Sequence, residues 1–78
     1  MKIVLTGKMS KTRLDMWGTF MKLGITVQKV ISNKTDYLIE GSIPGFVKLE
    51  AANKRGIPII SENEFWELLK TKFPEYLI

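Results

Sequence analysis

Short apolar runs alternate with segments of helical periodicity along this chain, and that alternation is the strongest constraint on its fold. The first run, residues 3–5, is rich in β-branched side chains and stops at Thr6-Gly7, which predicts a buried strand followed by a turn. A helical segment comes next, and strands and helices continue to the end of the chain. The predicted order, β-α-β-β-α-β-α, favours an α/β fold in which helices cover a sheet.

The first helix is predicted over residues 11–23. Ser10 offers an N-cap hydroxyl and Gly24 a left-handed stop at the other end. Gly18, inside the helix, costs up to about 1 kcal/mol relative to alanine, so it predicts that another element passes close to it. The apolar residues that recur at helical spacing, and that we expect to be buried, are Leu14, Trp17, Phe20 and Met21.

Two strands are predicted next, over residues 26–30 and 36–40, with a polar turn at 32–35 between them. Local rules alone would pair these strands as a hairpin. A helix over about 46–55 and a brief strand over 58–60 follow, separated by a glycine stop.

The last helix is predicted to begin near Glu62. Residues 61–64 read Ser-Glu-Asn-Glu, which is the pattern of a capping box. The helix is expected to bury Phe65, Leu68 and Leu69.

The missing residue types exclude several kinds of function. The 78 residues include no cysteine and no histidine, so disulfides, the usual zinc sites and the commonest general base are absent. We therefore expect no catalytic residue, no metal and no cofactor.

The length predicts a single domain, over 1–72, followed by an apolar tail, 73–78. No apolar run approaches the ~18 residues of a membrane span, so no membrane partner is expected.

Several segments together resemble the BRCT domain. They lie in the family's order, at nearly its spacing, across residues 2–69. The resemblance is closest to the BRCT modules that end NAD-dependent DNA ligases of the bacterial type and to the one in the large subunit of replication factor C. The segments are 2–7 (KIVLTG), 32–39 (SNKTDYLI), Lys48 with Ala51 or Ala52, 56–60 (GIPII) and 61–65 (SENEF).

The resemblance implies a four-stranded parallel sheet in the order 2-1-3-4. The first and third helices would lie on one face and the second helix on the other. This arrangement replaces the hairpin of residues 26–40 with a link that crosses the first strand without a helix, which is unusual for a parallel connection.

The resemblance also implies a phosphate pocket. In family members that bind phosphate, a hydroxyl and a glycine at the end of the first strand act with a lysine at the start of the second helix, and Thr6, Gly7 and Lys48 match them. A hydroxyl, an unobstructed amide and an ammonium suit phosphate oxygens. From the residues alone, a strand-end turn and a solvated lysine are the simpler interpretation. The residues expected to flank the pocket are Lys8, Lys11, Thr12 and Arg13.

The predicted function is DNA binding by a non-catalytic BRCT module, at a 5′-phosphate or a nick. The module would belong to, or work beside, a DNA ligase or a replication or repair factor. The net charge of +4 agrees with a polyanionic partner. A protein-interaction module, for a phosphopeptide or another BRCT domain, is the alternative, and a purely structural role ranks third. The expected location is the cytoplasm, at the nucleoid, in a bacterium or phage, and the nucleus in a eukaryote.

Overall fold

The computed structural model describes residues 1–73, which form a four-stranded parallel sheet with three helices. The strands lie in the order β2-β1-β3-β4, and every pairing between neighbours is parallel. The predicted α/β fold and its strand order 2-1-3-4 are therefore confirmed. In chain order the elements are β1 (Lys2–Thr6), α1 (Arg13–Leu23), β2 (Thr26–Gln28), β3 (Tyr37–Glu40), α2 (Phe46–Arg55), β4 (Ile59–Ser61) and α3 (Glu62–Lys72).

The hairpin suggested by local rules is wrong, because β1 lies between β2 and β3. Ile3 and Val4 of β1 are fully buried, one on each face of the sheet, as a central parallel strand requires. The link from β2 to β3 is held by the buried Thr35, whose hydroxyl donates to Gln28 Oε1 at 2.6 Å. The connection from β2 to β3 contains no helix, and the polar side chain of Thr35 holds it in place.

Each face of the sheet carries its own core. One core joins α1 and α3 to the sheet, and its aromatic pair Phe20 and Phe65 meets edge-on at 5.8 Å between ring centroids. The other core contains Ala52 of α2 with Val4 and Leu38 of the sheet. The helices are therefore distributed as the resemblance implies.

The N-cap of α1 is Thr12, so the prediction that Ser10 caps this helix is wrong. Thr12 Oγ1 accepts from the Asp15 amide at 3.2 Å. The hydroxyl of Ser10 donates instead to the carboxylate of Glu62, at the start of α3. Ser10 and Thr12 both carry a hydroxyl that could cap α1. Because the carboxylate of the distant Glu62 binds Ser10, Thr12 is the cap.

The buried face of α1 also differs from the prediction. Leu14, Trp17 and Met21 are 84%, 61% and 65% exposed, and of the four predicted core residues Phe20 alone is buried. Among the described residues, no atom lies within 4 Å of a Cβ added at Gly18, so no other element of residues 1–73 passes close to it. We call the exposed residues Leu14, Trp17, Gly18 and Met21 the α1 stripe. The residues that α1 buries are Met16, Phe20 and Leu23.

The start of α3 agrees with the prediction. The Ser61 hydroxyl accepts from the Glu64 amide at 3.2 Å, and the Glu64 carboxylate accepts from the Ser61 amide at 3.3 Å, which completes the capping box. Phe65 and Leu69 are buried, whereas Leu68 is only half-buried.

The end of the chain is described in part. Phe73 is half-buried and packs against the core between α1 and α3. The rest of the predicted apolar tail, 74–78, lies outside the described residues. Within residues 1–73, none of the helices is long and apolar enough to cross a membrane.

The two faces of α1 predict effects of very different size on stability. Replacing Phe20 with alanine should lower the free energy of unfolding by about 3–5 kcal/mol, because it leaves a cavity in the core. Trp17→Ala, a loss of similar size on the exposed face, should cost less than about 1 kcal/mol. Urea unfolding of dilute protein, followed by circular dichroism, measures both, and equal losses would contradict the assigned faces.

Candidate functional site

An open cleft of about 840 Å³ lies where the carboxyl ends of β1 and β3 meet the start of α2. At this point the chain leaves β1 toward one edge of the sheet and leaves β3 toward the other edge. Such a point is the usual ligand site of an open parallel sheet. We call it the lysine cleft. No carboxylate belongs to its described lining. Its polar and glycine residues are Thr6, Gly7, Lys8, Lys11, Gly45 and Lys48.

Thr6, the last residue of β1, anchors the floor of the cleft. Its side chain is buried, and its Oγ1 accepts from the Gly45 amide at 2.7 Å. A hydroxyl is also a donor, so its hydrogen can still be offered to an anion. The bond fixes the start of α2 against the end of β1.

Lys48 lies in the first turn of α2 and is half-buried. Its Nζ donates to the carbonyl oxygen of Leu5 at 2.9 Å. Because an ammonium has three N–H groups, this bond orients the side chain and leaves donors for a ligand. Glu50 is paired with Lys54 at 3.4 Å, and the other ion pair within residues 1–73 joins Lys70 to Glu67. Among the described residues, the observed ion pairs therefore leave Lys48 without a carboxylate partner.

The start of α2 faces the cleft without a capping side chain. Gly45 is the N-cap, and the first turn contains no acidic residue. The other two described helices begin with capping hydroxyls, Thr12 and Ser61, and with acidic residues. The first amides of any helix lack intrahelical partners and carry partial positive charge. At α2, no side chain of its own satisfies them.

Two glycines let the loops on either side of the cleft touch. The Lys8 amide donates to the Ser42 carbonyl at 2.8 Å, and the Ser42 amide donates back at 2.9 Å. Gly7 has φ +80°, and a Cβ there would lie 2.6 Å from the Ser42 oxygen. A Cβ on Gly41 would overlap the backbone of Lys8. The geometry gives Gly7 a structural role, and it gives the same role to Gly41.

A second contact fixes the loop between β1 and α1 to α3. The Glu62 carboxylate accepts from the Ser10 amide at 3.0 Å, from the Ser10 hydroxyl at 2.5 Å and from Trp66 Nε1 at 3.0 Å. Lys11 Nζ lies 4.8 Å from the centroid of the Trp66 ring, within cation–π distance. Desolvation alone would raise the pKa of Glu62, but these hydrogen bonds and Lys11 outweigh it, so the pKa lies below its ordinary value.

The structure brings two of the four predicted flanking residues to the cleft. Lys8 and Lys11 line the cleft with Thr6, Gly7 and Lys48. Thr12 is not part of the lining, because its hydroxyl caps α1. Arg13 begins α1, and its side chain lies outside the described part of the structure.

Exposed apolar residues border the cleft, and the sequence analysis missed them as a site feature. Ile43, Phe46 and Val47 all line it, and Ile43 is 92% exposed. Ile43 has φ +53°, a conformation that costs a β-branched residue roughly 1–2 kcal/mol. We call these three residues the apolar rim. The sequence signal was the apolar pair Phe46-Val47, which stands between Gly45 and Lys48.

Comparison with known proteins gives a consistent result. The family described as "BRCA1 C Terminus (BRCT) domain" matches residues 1–69. Over 68 residues the chain is 38% identical to a DNA ligase of Nautilia profundicola and 41% identical to a DNA ligase of Helicobacter pylori. Over 72 residues it is 46% identical to a DNA ligase of Oenococcus oeni.

These matches cover most of the chain but little of each ligase. They include 87%, 87% and 91% of the chain and 10% of each of the three ligases. The chain therefore spans about a tenth of the length of these relatives. The other nine tenths of each ligase has no counterpart in these 78 residues.

Glu62→Gln tests the contact between Ser10 and α3. The ionised carboxylate is favoured in the folded protein, so its contribution is complete above the ordinary pKa of a glutamate and is lost as the pH falls through the lowered value. Near neutral pH the variant should lose roughly 1 kcal/mol of unfolding free energy, because the bonds are partly exposed. At acid pH, below the lowered pKa of Glu62, the difference should vanish.

Glu67→Gln is the matched control for this experiment. Glu67 is on the same helix and pairs with Lys70 at the surface, so its replacement should change stability by less than about 0.5 kcal/mol. Urea unfolding at both pH values measures the two variants. A Glu62→Gln loss that does not depend on pH would argue against the charged contact.

Gly41→Ala tests the backbone contact across the cleft. The added methyl group would overlap the Lys8 backbone, so the loops must separate, at a cost of roughly 1–3 kcal/mol of unfolding free energy. Gly18→Ala is the control, since its methyl group meets open space within a helix and should stabilise the fold by about 0.5–1 kcal/mol. Thermal unfolding compares them, and similar shifts in both variants would refute the close approach.

Proposed function

The chain belongs to the BRCT domain family, and from that premise we propose that it is a non-catalytic module that binds DNA at a 5′-phosphate, at a duplex end or a nick. One observation carries the proposal. Three lysines and an uncapped helix start converge on one cleft that has no carboxylate in its described lining. Such a site favours a compact anion.

The proposed phosphate would lie between β1 and α2. Thr6 would donate its hydroxyl hydrogen, and Lys48 would add charge and its remaining N–H groups. The first amides of α2 would supply further donors. Thr6 and Lys48 already have one protein partner each, so little order would be lost when the ligand binds.

The remaining predicted residues would act on the flanking DNA backbone. Lys8 and Lys11 are exposed beside the cleft and would add sequence-independent attraction to neighbouring phosphates. We assign Arg13 the same role, because it lies at the start of α1. Thr12 would contribute only by beginning that helix, since its hydroxyl accepts from the Asp15 amide.

The apolar rim gives this proposal a reason to prefer an end or a nick. Phe46 is exposed and lines the same cleft as Lys48, at the start of α2. An aromatic side chain next to a bound 5′-phosphate can stack on the terminal base, whose face is accessible only where the duplex is interrupted. Continuous duplex would offer phosphates but no such face.

We also propose the setting of the module. The relatives named above are DNA ligases, so a role within or beside a ligase, in replication or repair, is the natural extension. The domain would extend over 1–72. In the cell, the module would then be located at the chromosome.

The rim also favours one competing ligand, a phosphorylated peptide. A phosphoserine would occupy the same cleft, and an apolar residue next to it would contact Ile43 or Val47. We rank it second, because the exposed lysines Lys8 and Lys11 suit a partner that carries several phosphates.

Lys48→Ala tests the phosphate contact. Binding to a short duplex with a 5′-phosphate should weaken roughly tenfold, and the slope of log K against log salt should flatten by about one unit. Lys54→Ala, on the same helix but outside the lining of the cleft, should leave the slope unchanged. Fluorescence anisotropy over a range of salt concentrations gives both quantities.

Amide-shift titrations of labelled protein complete this test. We expect shifts at Thr6, Gly7 and Lys48 with 5′-phosphorylated duplex, and weaker ones with a 5′-hydroxyl duplex. Equal binding of the two duplexes, or an unchanged slope for Lys48→Ala, would refute the phosphate assignment. Shifts with a phosphoserine peptide alone would replace DNA by a protein partner.

A further inference from the structure

We propose that Ile43 determines which DNA the lysine cleft prefers, an open duplex end rather than a nick. Its side chain would pack on the exposed face of the terminal base pair. The inference rests on the proposed function, because it requires a 5′-phosphate in the cleft, and it adds a residue that the phosphate contact does not use. Ile43 lies between β3 and α2 and lines the cleft. Three observations support this role.

The first observation is that Ile43 contributes almost nothing to the packing of its own chain. It is the most exposed of the large apolar residues in 1–73, and it belongs to neither core. Its left-handed backbone, with φ +53°, costs a β-branched residue more than it costs glycine or asparagine. Isoleucine at this position therefore adds nothing to the stability of the described domain, and a contact outside the chain accounts for it better.

The second observation is that the neighbours of Ile43 hold its backbone in place. Ser42 exchanges two backbone hydrogen bonds with Lys8, at 2.8 and 2.9 Å. On the other side, Pro44 has a fixed φ, and its Cα would lie only 3.1 Å from a Cβ on Gly7. The loop therefore presents an apolar side chain to solvent on a fixed backbone, so little order is lost when that side chain meets a ligand.

The third observation is the chemistry of the cleft that Ile43 lines. Phe46 and Val47 add two further exposed apolar side chains, and three lysines of the lining supply positive charge. A ligand that suits both surfaces carries a phosphate next to a flat apolar face. The end of a 5′-phosphorylated duplex has this combination, because its terminal base pair exposes one face to solvent.

The contact at Ile43 distinguishes an open end from a nick. At an open end the face of the terminal base pair is free, so Ile43 packs on it without moving a base. At a nick the base pair across the break covers that face, so the side chain must first unstack it, as inserted apolar wedges do. Continuous duplex has neither a free face nor a terminal phosphate. The predicted order of affinity is therefore open end, nick and continuous duplex.

Three DNAs of the same duplex sequence test this order. A hairpin with a 5′-phosphate supplies one open end, a dumbbell with a single 5′-phosphorylated break supplies a nick, and a sealed dumbbell supplies continuous duplex. Fluorescence anisotropy measures the affinity for each. The wild-type chain should bind the hairpin roughly fivefold more tightly than the nicked dumbbell, the effect of partly burying one side chain. The same hairpin with a 5′-hydroxyl measures the phosphate contact separately.

Ile43→Leu and Ile43→Asn form a matched pair, since leucine and asparagine branch alike and differ in polarity. Ile43→Leu should keep the ratio of end to nick affinity within about twofold of the wild-type value, because the apolar contact remains. Ile43→Asn should lower the ratio below about twofold, and it should still prefer the 5′-phosphate to the 5′-hydroxyl. Because asparagine tolerates a left-handed backbone, the melting temperature of Ile43→Asn should equal or exceed that of the wild type.

Met21→Asn is the control for a polar change on an exposed apolar residue elsewhere. Met21 belongs to the α1 stripe and lies outside the lining of the cleft, near the end of α1. Its replacement should leave the ratio of end to nick affinity unchanged. Circular dichroism verifies that each variant is folded.

Contrary results separate this inference from the proposed function. Equal binding of the 5′-phosphate and 5′-hydroxyl hairpins overturns the phosphate site, and the role of Ile43 with it. A chain that prefers the 5′-phosphate but binds nick and end equally, or keeps its preference for ends in Ile43→Asn, overturns the role of Ile43 alone. If Ile43→Asn weakens binding of a phosphoserine peptide and of no DNA, the contact belongs to a protein partner. A melting temperature of Ile43→Asn far below the wild type would show that isoleucine serves the fold instead.

Discussion

The burial of β1 on both faces is the constraint on which the rest of this structure depends. Ile3 contributes to the core beneath α1 and α3, and Val4 contributes to the core beneath α2, so this short strand joins the two halves of the protein. The same strand ends at Thr6, whose hydroxyl fixes the start of α2. The candidate site therefore rests on the most buried element of the fold, and its geometry is fixed by the packing that stabilises the domain.

The lysine cleft is held by the backbone, and two of its polar side chains, Thr6 and Lys48, already have protein partners. Gly7 and Gly41 allow the loops on either side to exchange hydrogen bonds, and Glu62 attaches the loop before α1 to α3. Lys48 is oriented by the Leu5 carbonyl rather than by a carboxylate. This arrangement leaves the positive charge of the cleft uncompensated and its geometry rigid. Such a site favours anion binding more than it favours the stability of the fold.

Local signals in the sequence predicted the local structure well and failed where distant residues decide. The capping box at Ser61 is complete within four residues, so its prediction was correct. The predicted hairpin was wrong because β2 and β3 each pair with β1 instead of with each other. Ser10 does not cap α1, because Glu62, 52 residues away, binds it. Two sets of apolar residues on α1 have helical spacing, and periodicity alone cannot select the set containing Met16 over the one containing Trp17. The site at Thr6 and Lys48 came from family resemblance, since no local pattern links residues so far apart.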